Sequence, residues 1–232
     1  MSFHSDLFGW DYVWRNFAEQ KGGEAIDVAD GSGLAGLAIP VPGTKSAVVF
    51  TPFVHHGRKR QKGTTVMTSY KPADDFVFSI QTEKLTDQVG KVLGLQDVQV
   101  QDQQFDGKYL IRGNDERRIQ MLFADEALRE AILLQAPTQL RIETDPSHFD
   151  PEWTVPAGHH VLVYRYDHLM EKLDQLQIAF DVLTTASQRL AALRTTHSVA
   201  PAASTFAPEV EEEEEQPVQT TGRLHSPLLD RA

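Results

Sequence analysis

Alternating hydrophobic and polar positions predict several strands in the middle of the chain. In one of them Phe76, Phe78 and Ile80 share a face, because side chains two residues apart in a strand point the same way. The other stretches with strand character are "SAVVFTPFV", "TTVMTSY", "TQLRIE" and "HVLVYRY". One apolar and one polar face per strand is typical of an antiparallel sheet that is covered on a single side.

A three-and-four spacing of apolar residues predicts one long helix from about 167 to 194. Asp167 occupies the position of an N-cap, and Met170, Ala179 and Val182 widen the apolar stripe beyond a coiled-coil seam. This width favours packing of the helix on the sheet, and self-association through the helix is the alternative. The stripe consists of Leu169, Leu173, Leu176, Phe180, Leu183 and Leu190.

Shorter helices are predicted elsewhere in the chain. An aromatic-rich amphipathic helix occupies about 5–20, where Trp10, Trp14 and Phe17 lie near one face together with Phe3 and Leu7. A short helix is expected at about 84–93, and two short helices are expected at about 115–135, the second of which Asp125 can cap. We expect the N-terminal helix to fold back on the domain, with insertion into a membrane interface as the alternative.

These elements predict an α+β fold with one domain and a tail. The domain spans 1–194, with the N-terminal helix at about 5–20, a core at about 24–166 and the long helix at about 167–194. Residues 195–232 hold scattered prolines and a glutamate block, and their seven acids against two arginines give a net charge of −5. This composition predicts a disordered acidic tail, which is either a solubilising segment or a protein-binding one.

Composition excludes several classes of function. The chain has no cysteine, which rules out disulfides and thiolate catalysis, and its formal net charge of −11 argues against nucleic acid as a partner. No apolar run is long enough for a spanning helix, so a cytoplasmic protein is expected. We found no motif for a cofactor. "GSGLAG" matches a dinucleotide fingerprint by letter, but Pro40 and Pro42 follow it where a helix would have to form.

The charged run "GNDERR" has two interpretations. As the start of a helix, Asn114 is the N-cap, and Asp115 and Glu116 lie at the positive end of the helix dipole. As a reaction site, the two carboxylates would transfer protons, or Arg117 and Arg118 would form an anion clamp. The first interpretation is favoured because no second group is visible that would come close in space. Catalytic residues are therefore not predicted.

A basic run in "HHGRKRQKG" is the most suggestive surface feature. It lies between two predicted strands, so it forms the tip of a hairpin, where its cations can contact phosphate, an anionic lipid surface or the glutamate tail. An ordinary solvated turn is the favoured interpretation of this run, and the functional contact is the alternative. The residues in question are Arg58, Lys59, Arg60 and Lys62. Histidines at His55, His56, His148 and His159 form no chelating spacing, so no metal site is predicted.

The run "DDFVFSIQTEKLTDQVGKVLGLQDVQVQDQQFDGKYLIRGND" resembles a pattern of uncharacterised bacterial proteins. Its marks are an aromatic strand, a Gly-Leu-Gln-Asp turn, a Phe-Asp pair and a strand that leads into an acidic helix start. With its helical continuation the resemblance spans about 75–135. It implies a bacterial, cytoplasmic or membrane-peripheral domain of unknown function, with Gly94 and Gly113 in turns, Asp97 and Asp106 capping the backbone and Phe105 in the core.

The sequence therefore favours a non-enzymatic binding or scaffold module whose partner is a protein, with no cofactor. One alternative is a carrier of a small apolar ligand or lipid, since a sheet gripped by a long helix can enclose a cavity. A second is a membrane-peripheral protein that contacts anionic surfaces through the basic hairpin. Homo-oligomers through the long helix are a further expectation.

Overall fold

The computed structural model describes residues 9–31, 33–54, 62–82, 96–145 and 155–197, with side chains up to 193. All of them belong to one compact unit. Several predictions lie outside the described residues: the helix at 84–93, the turn at Gly94, the N-terminal helix before residue 9, the tip of the basic hairpin and the acidic tail after residue 197.

The described strands form one antiparallel sheet in the order β1-β2-β3-β4-β9-β8-β5-β7-β6. Together with the helices that cover it, this sheet confirms the predicted α+β class. The strands are β1 (Glu24–Asp27), β2 (Leu34–Pro40), β3 (Ala47–Val54), β4 (Lys62–Tyr70), β5 (Phe78–Thr82), β6 (Gln96–Val98), β7 (Tyr109–Gly113), β8 (Gln139–Glu143) and β9 (His160–Tyr166).

The register of the central strands separates the two faces of the sheet. β9 pairs with both β4 and β8, and Val66 lies opposite Tyr164 on the face that the helices cover. The next pair, Met67 and Val163, points to the other face, where both side chains are buried in a small second cluster with Val155 packed against it. The main core thus lies between the sheet and the helices.

The helices among the described residues share one apolar core with the sheet. They are α1 (Trp10–Lys21), α2 (Gln103–Asp106), α3 (Glu116–Leu122), α4 (Glu126–Gln135) and α5 (Leu173–His197). Helix α1 ends at Gly22, which adopts the left-handed conformation that glycine tolerates best, with φ 65°. The two helices predicted within 115–135 are confirmed, and Asp125 caps the second one as predicted: its side chain accepts from the amide of Leu128.

Helix α5 packs on the sheet as the apolar stripe predicts. Leu176, Phe180, Leu183 and Leu190 are buried in the main core, Leu169 packs against it, and Leu173 is 37% exposed. Self-association through this helix stays a prediction. The buried members of the stripe already contact the sheet and its helices, so a dimer through them would require α5 to leave its place.

Helix α5 begins six residues later than predicted. Asp167 does not cap it, because its carboxylate accepts a hydrogen bond from the Thr138 hydroxyl at 3.2 Å. The backbone of Met170 is held on both sides: its amide donates to the Thr64 hydroxyl at 3.0 Å, and its carbonyl accepts from the Trp14 indole at 2.7 Å. These tertiary contacts hold the segment in a non-helical conformation despite its helical spacing.

Two predictions near α3 are wrong in detail, one for a helix cap and one for a turn residue. The N-cap of α3 is Asp115, whose side chain accepts from the amide of Arg118, and not Asn114. Gly113 is the last residue of β7 rather than a turn residue, and a Cβ there would lie 2.3 Å from Ile119 Cδ1. Asp106 does cap the local backbone by accepting from the amide of Val100 at 2.9 Å.

Two further residues of the resemblance can be checked. Phe105 is fully buried in the core, as expected. Asp97 serves a different purpose from backbone capping, because its carboxylate pairs with the guanidinium of Arg112 at 2.8 Å across β6 and β7.

A buried hydroxyl gives a stability prediction. Tyr164 is fully buried, and its OH has no hydrogen-bond partner among the described residues. We expect Tyr164→Phe to raise the free energy of unfolding by about 1 kcal/mol in urea denaturation, because the orphaned polar group is removed. Tyr109→Phe is the matched control: its OH donates to the Ile132 carbonyl at 3.3 Å, so its loss should lower stability. A destabilised Tyr164→Phe variant would show that the hydroxyl is satisfied in solution.

Candidate functional site

A small cleft lies where the end of β4 meets the start of α3 and the middle of α5. It leaves about 10 Å³ of room, which corresponds to one water molecule. One wall is charged and the others are largely apolar. The lining residues are Tyr70, Pro72, Ala73, Asp74, Phe76, Arg118 and Leu190.

Arg118 dominates this cleft because its guanidinium is almost buried. Its side chain is only 8% exposed, and Nη1 donates to Asp74 Oδ2 at 2.8 Å. The ring of Phe76 covers the guanidinium face, with the Cζ atom 4.2 Å from the ring centroid. The carboxylate and the aromatic ring therefore hold the guanidinium plane in one orientation.

The loop that carries Asp74 and Phe76 is itself fixed. Asn114 bridges it to α3, because its Nδ2 donates to the Asp75 carbonyl at 2.8 Å and its Oδ1 accepts from the Val77 amide at 3.0 Å. Asp74 Oδ1 accepts from the Phe76 amide at 3.0 Å. Asn114 is thus a positioning residue for the cleft rather than the cap that the sequence predicts.

The guanidinium of Arg118 does not use all of its N–H donors in hydrogen bonds to described residues. Its one hydrogen bond to another side chain among the described residues is the bond to Asp74. Nε is enclosed by protein and has no partner in this part of the chain. An enclosed N–H without an acceptor costs about 1–3 kcal/mol, and an anion beside the guanidinium would offset part of this cost through its charge.

Tyr70 lines the cleft beside Arg118, and His160 contacts Tyr70. Burial raises the pKa of the Tyr70 phenol above its ordinary value, and the phenol is close enough to interact with the charges of Arg118 and Asp74. His160 meets Tyr70 edge to face, with ring centroids 6.1 Å apart. Burial lowers the pKa of His160, against an opposing effect of Asp74, and its buried Nδ1 has no described partner. Both groups are therefore neutral at neutral pH.

This arrangement is suited to binding an anionic group. A guanidinium with free donors, a protonated phenol and an apolar rim come together at one opening, and Asp74 fixes the guanidinium without using all of its donors. One interpretation of the sequence made Arg117 and Arg118 a joint anion clamp. The structure separates the two residues, because Arg118 is buried in the cleft and Arg117 is exposed.

The helical period carries the signal that distinguishes the two arginines. Arg118 lies four residues before Leu122 and next to Ile119, and therefore on the buried face of α3. An arginine on an apolar stripe needs a partner, which here is Asp74, 44 residues away in sequence.

The predicted basic hairpin can be judged only at its base. Arg58, Lys59 and Arg60 lie outside the described residues. Lys62 is exposed, and its Nζ lies 5.3 Å from the centroid of the Trp10 ring on α1. Contact of the hairpin with an anionic surface stays a prediction.

Two searches of the described residues bear on other classes of site. They hold no group of three or more His, Asp or Glu side chains arranged to bind a metal ion. His55, His56 and His148 are not part of this description. No helix within the described ranges is long and apolar enough to cross a membrane.

Comparison with known proteins adds one structural likeness. No protein-family model matches the chain, and no curated protein matches its sequence. The crystal structure of the mycobacterial trehalose monomycolate transport factor A, TtfA, is similar with a TM-score of 0.49 and 8% sequence identity, over 79% of this chain and 95% of TtfA. A likeness of this size says nothing about what this chain binds, and the transport role in that name describes TtfA.

Proposed function

We propose that the protein is a non-enzymatic binding module whose cleft at Arg118 receives an anionic group of its partner or ligand. The observation that carries this proposal is the buried guanidinium, which is held in place by Asp74 and Phe76 and still has unused donors. A group that is oriented before binding loses little conformational freedom when the ligand arrives.

The surroundings of the guanidinium favour binding over catalysis. Tyr70 and His160 are both neutral, and burial moves the pKa of each away from the value at which it would exchange protons near neutral pH. The ion pair with Asp74 is partly buried, so the positive charge stays at the floor of the cleft and attracts an anion from close range.

The proposal predicts that binding of a simple anion depends on the planar guanidinium of Arg118. Sodium acetate, titrated by calorimetry at constant ionic strength, should bind Arg118→Lys at least about tenfold more weakly than the wild type. The reason is that a hydrogen bond to a charged group contributes about 1.5–3 kcal/mol and lysine cannot present the same donors. Arg117→Gln is the matched control, since its side chain is exposed on the same helix, and should bind like the wild type.

Circular dichroism of each variant shows whether α3 is still folded. Acetate binding that is equal in the wild type and Arg118→Lys would contradict the proposal, as would no binding by the wild type at high millimolar acetate.

The second candidate is a carrier of a small apolar ligand or lipid, favoured by the apolar side chains of Phe76 and Leu190 at the rim of the charged wall. A carrier needs a cavity of about 300–1,000 Å³, far more than the opening at Arg118. Native mass spectrometry of the purified protein separates the two candidates. A carrier retains a small molecule of defined mass, whereas a module with a shallow cleft is expected to show the mass of the chain alone.

A further inference from the structure

The charges and donors around Arg118 also select the kind of anion. Resting on the proposed function above, we propose that the cleft takes a carboxylate in preference to a doubly charged oxyanion, and that the Tyr70 hydroxyl donates the second hydrogen bond. Two donors on different elements, β4 and α3, would then bind the two oxygens of one planar group.

The net charge of the site is the first argument. Arg118 is paired with Asp74 at 2.8 Å, so their charges cancel at a distance, and His160 is neutral. The attraction between the guanidinium and a ligand grows in proportion to the ligand's charge, whereas the cost of removing its hydration shell grows with the square of that charge. A site without surplus positive charge therefore favours a monoanion.

Tyr70 supplies the second argument. The phenol of Tyr70 lines the cleft together with Arg118. Burial disfavours the phenolate, so the proton stays on the oxygen and can be donated to a ligand. A hydroxyl and a guanidinium N–H that converge on one opening can each serve one oxygen of a carboxylate.

The walls of the cleft provide the third argument. Phe76 and Leu190 are buried apolar residues that line the cleft, and Pro72 and Ala73 complete its apolar lining. The enclosed space takes about one water molecule, which is smaller than a carboxylate, so the carboxylate binds at the mouth of the cleft and its substituent lies against this apolar lining. The ligand is then an acid with a small apolar group, which is either a free organic acid or the C-terminus of a peptide.

The test compares three probes on three proteins at neutral pH and constant ionic strength. The probes are acetate, sulfate and N-acetylleucine, and the proteins are the wild type, Tyr70→Phe and Tyr12→Phe. Tyr12 is an exposed tyrosine on α1, so its variant controls for loss of a hydroxyl elsewhere. Binding is measured from amide chemical shifts, and the same spectra show that each variant is folded.

We expect acetate to bind the wild type at least about tenfold more tightly than sulfate does, and Tyr70→Phe to lose about fivefold in acetate affinity with little change for sulfate. Equal affinity for the two anions, or acetate binding that Tyr70→Phe leaves unchanged, would overturn this inference while the proposed function stands. No binding of any anion would remove both. N-acetylleucine binding more tightly than acetate assigns the carboxylate to a peptide C-terminus, and equal binding assigns it to a free acid; either result supports a carboxylate site.

Discussion

Replacing Trp14 by alanine is expected to lower the free energy of unfolding by about 4 kcal/mol, a large part of the total for a domain of this kind. Trp14 is fully buried between α1 and the sheet, edge to face with Trp10 and Phe50 at centroid distances of 5.2 and 6.1 Å. Its indole also donates to the Met170 carbonyl at 2.7 Å, which fixes the segment before α5. Urea denaturation followed by circular dichroism measures the change.

Two milder variants separate the parts of this effect. Trp14→Phe keeps an aromatic ring and should lose about 1–2 kcal/mol, mainly from the missing hydrogen bond and the smaller volume. Trp10→Phe, at a partly buried position of the same helix, should lose less than Trp14→Ala by a wide margin. A Trp14→Ala protein of nearly wild-type stability would show that α1 does not pack on the sheet in solution.

The second large effect is expected for Phe123→Ala, at about 3–5 kcal/mol. Phe123 follows α3 directly and is fully buried, with its ring centroid 5.6 Å from Phe78 and 5.5 Å from Phe105. Removing the ring leaves a cavity beneath α3, the helix that presents Arg118. We therefore expect weaker acetate binding as well as a lower unfolding midpoint.

Met121→Ala in α3 is the control. Because Met121 is 38% exposed, this substitution should lower the free energy of unfolding by less than about 1 kcal/mol. If Phe123→Ala were no less stable than Met121→Ala, the aromatic cluster would not be part of the folded core.

Local periodicity predicts much of this fold. Alternation in "DDFVFSI" and "TQLRIE" identifies β5 and β8, and the stripe from Leu176 to Leu190 identifies α5 and its buried face. Strand order cannot be read in the same way, because pairing of β9 with both β4 and β8 joins residues far apart in sequence. The start of α5 is predicted too early for a similar reason. Side chains far away in sequence, those of Thr64 and Trp14, hold the backbone of Met170 before the helix.

The cleft at Arg118 could be predicted only in part. The sequence shows an arginine pair at a helix start, and the helical period places Arg118 on the apolar face. It does not show that Tyr70 and Asp74 from one segment and Leu190 from another converge there. Two arginines at the start of a helix can both be solvated, or one of them can be buried. Only tertiary contacts distinguish these two cases.

The central claim is that the guanidinium of Arg118 binds an anion, and the side-chain Nε–Hε resonance of Arg118 reports on it directly. Nuclear magnetic resonance of the ¹⁵N-labelled protein, with this resonance assigned through Arg118→Lys, follows its shift as acetate is added at constant ionic strength. We predict a saturable shift of the Arg118 resonance as the anion binds beside its guanidinium, and no comparable shift for the exposed Arg117. If the Arg118 resonance does not move when acetate is raised to high millimolar concentration, the account is contradicted.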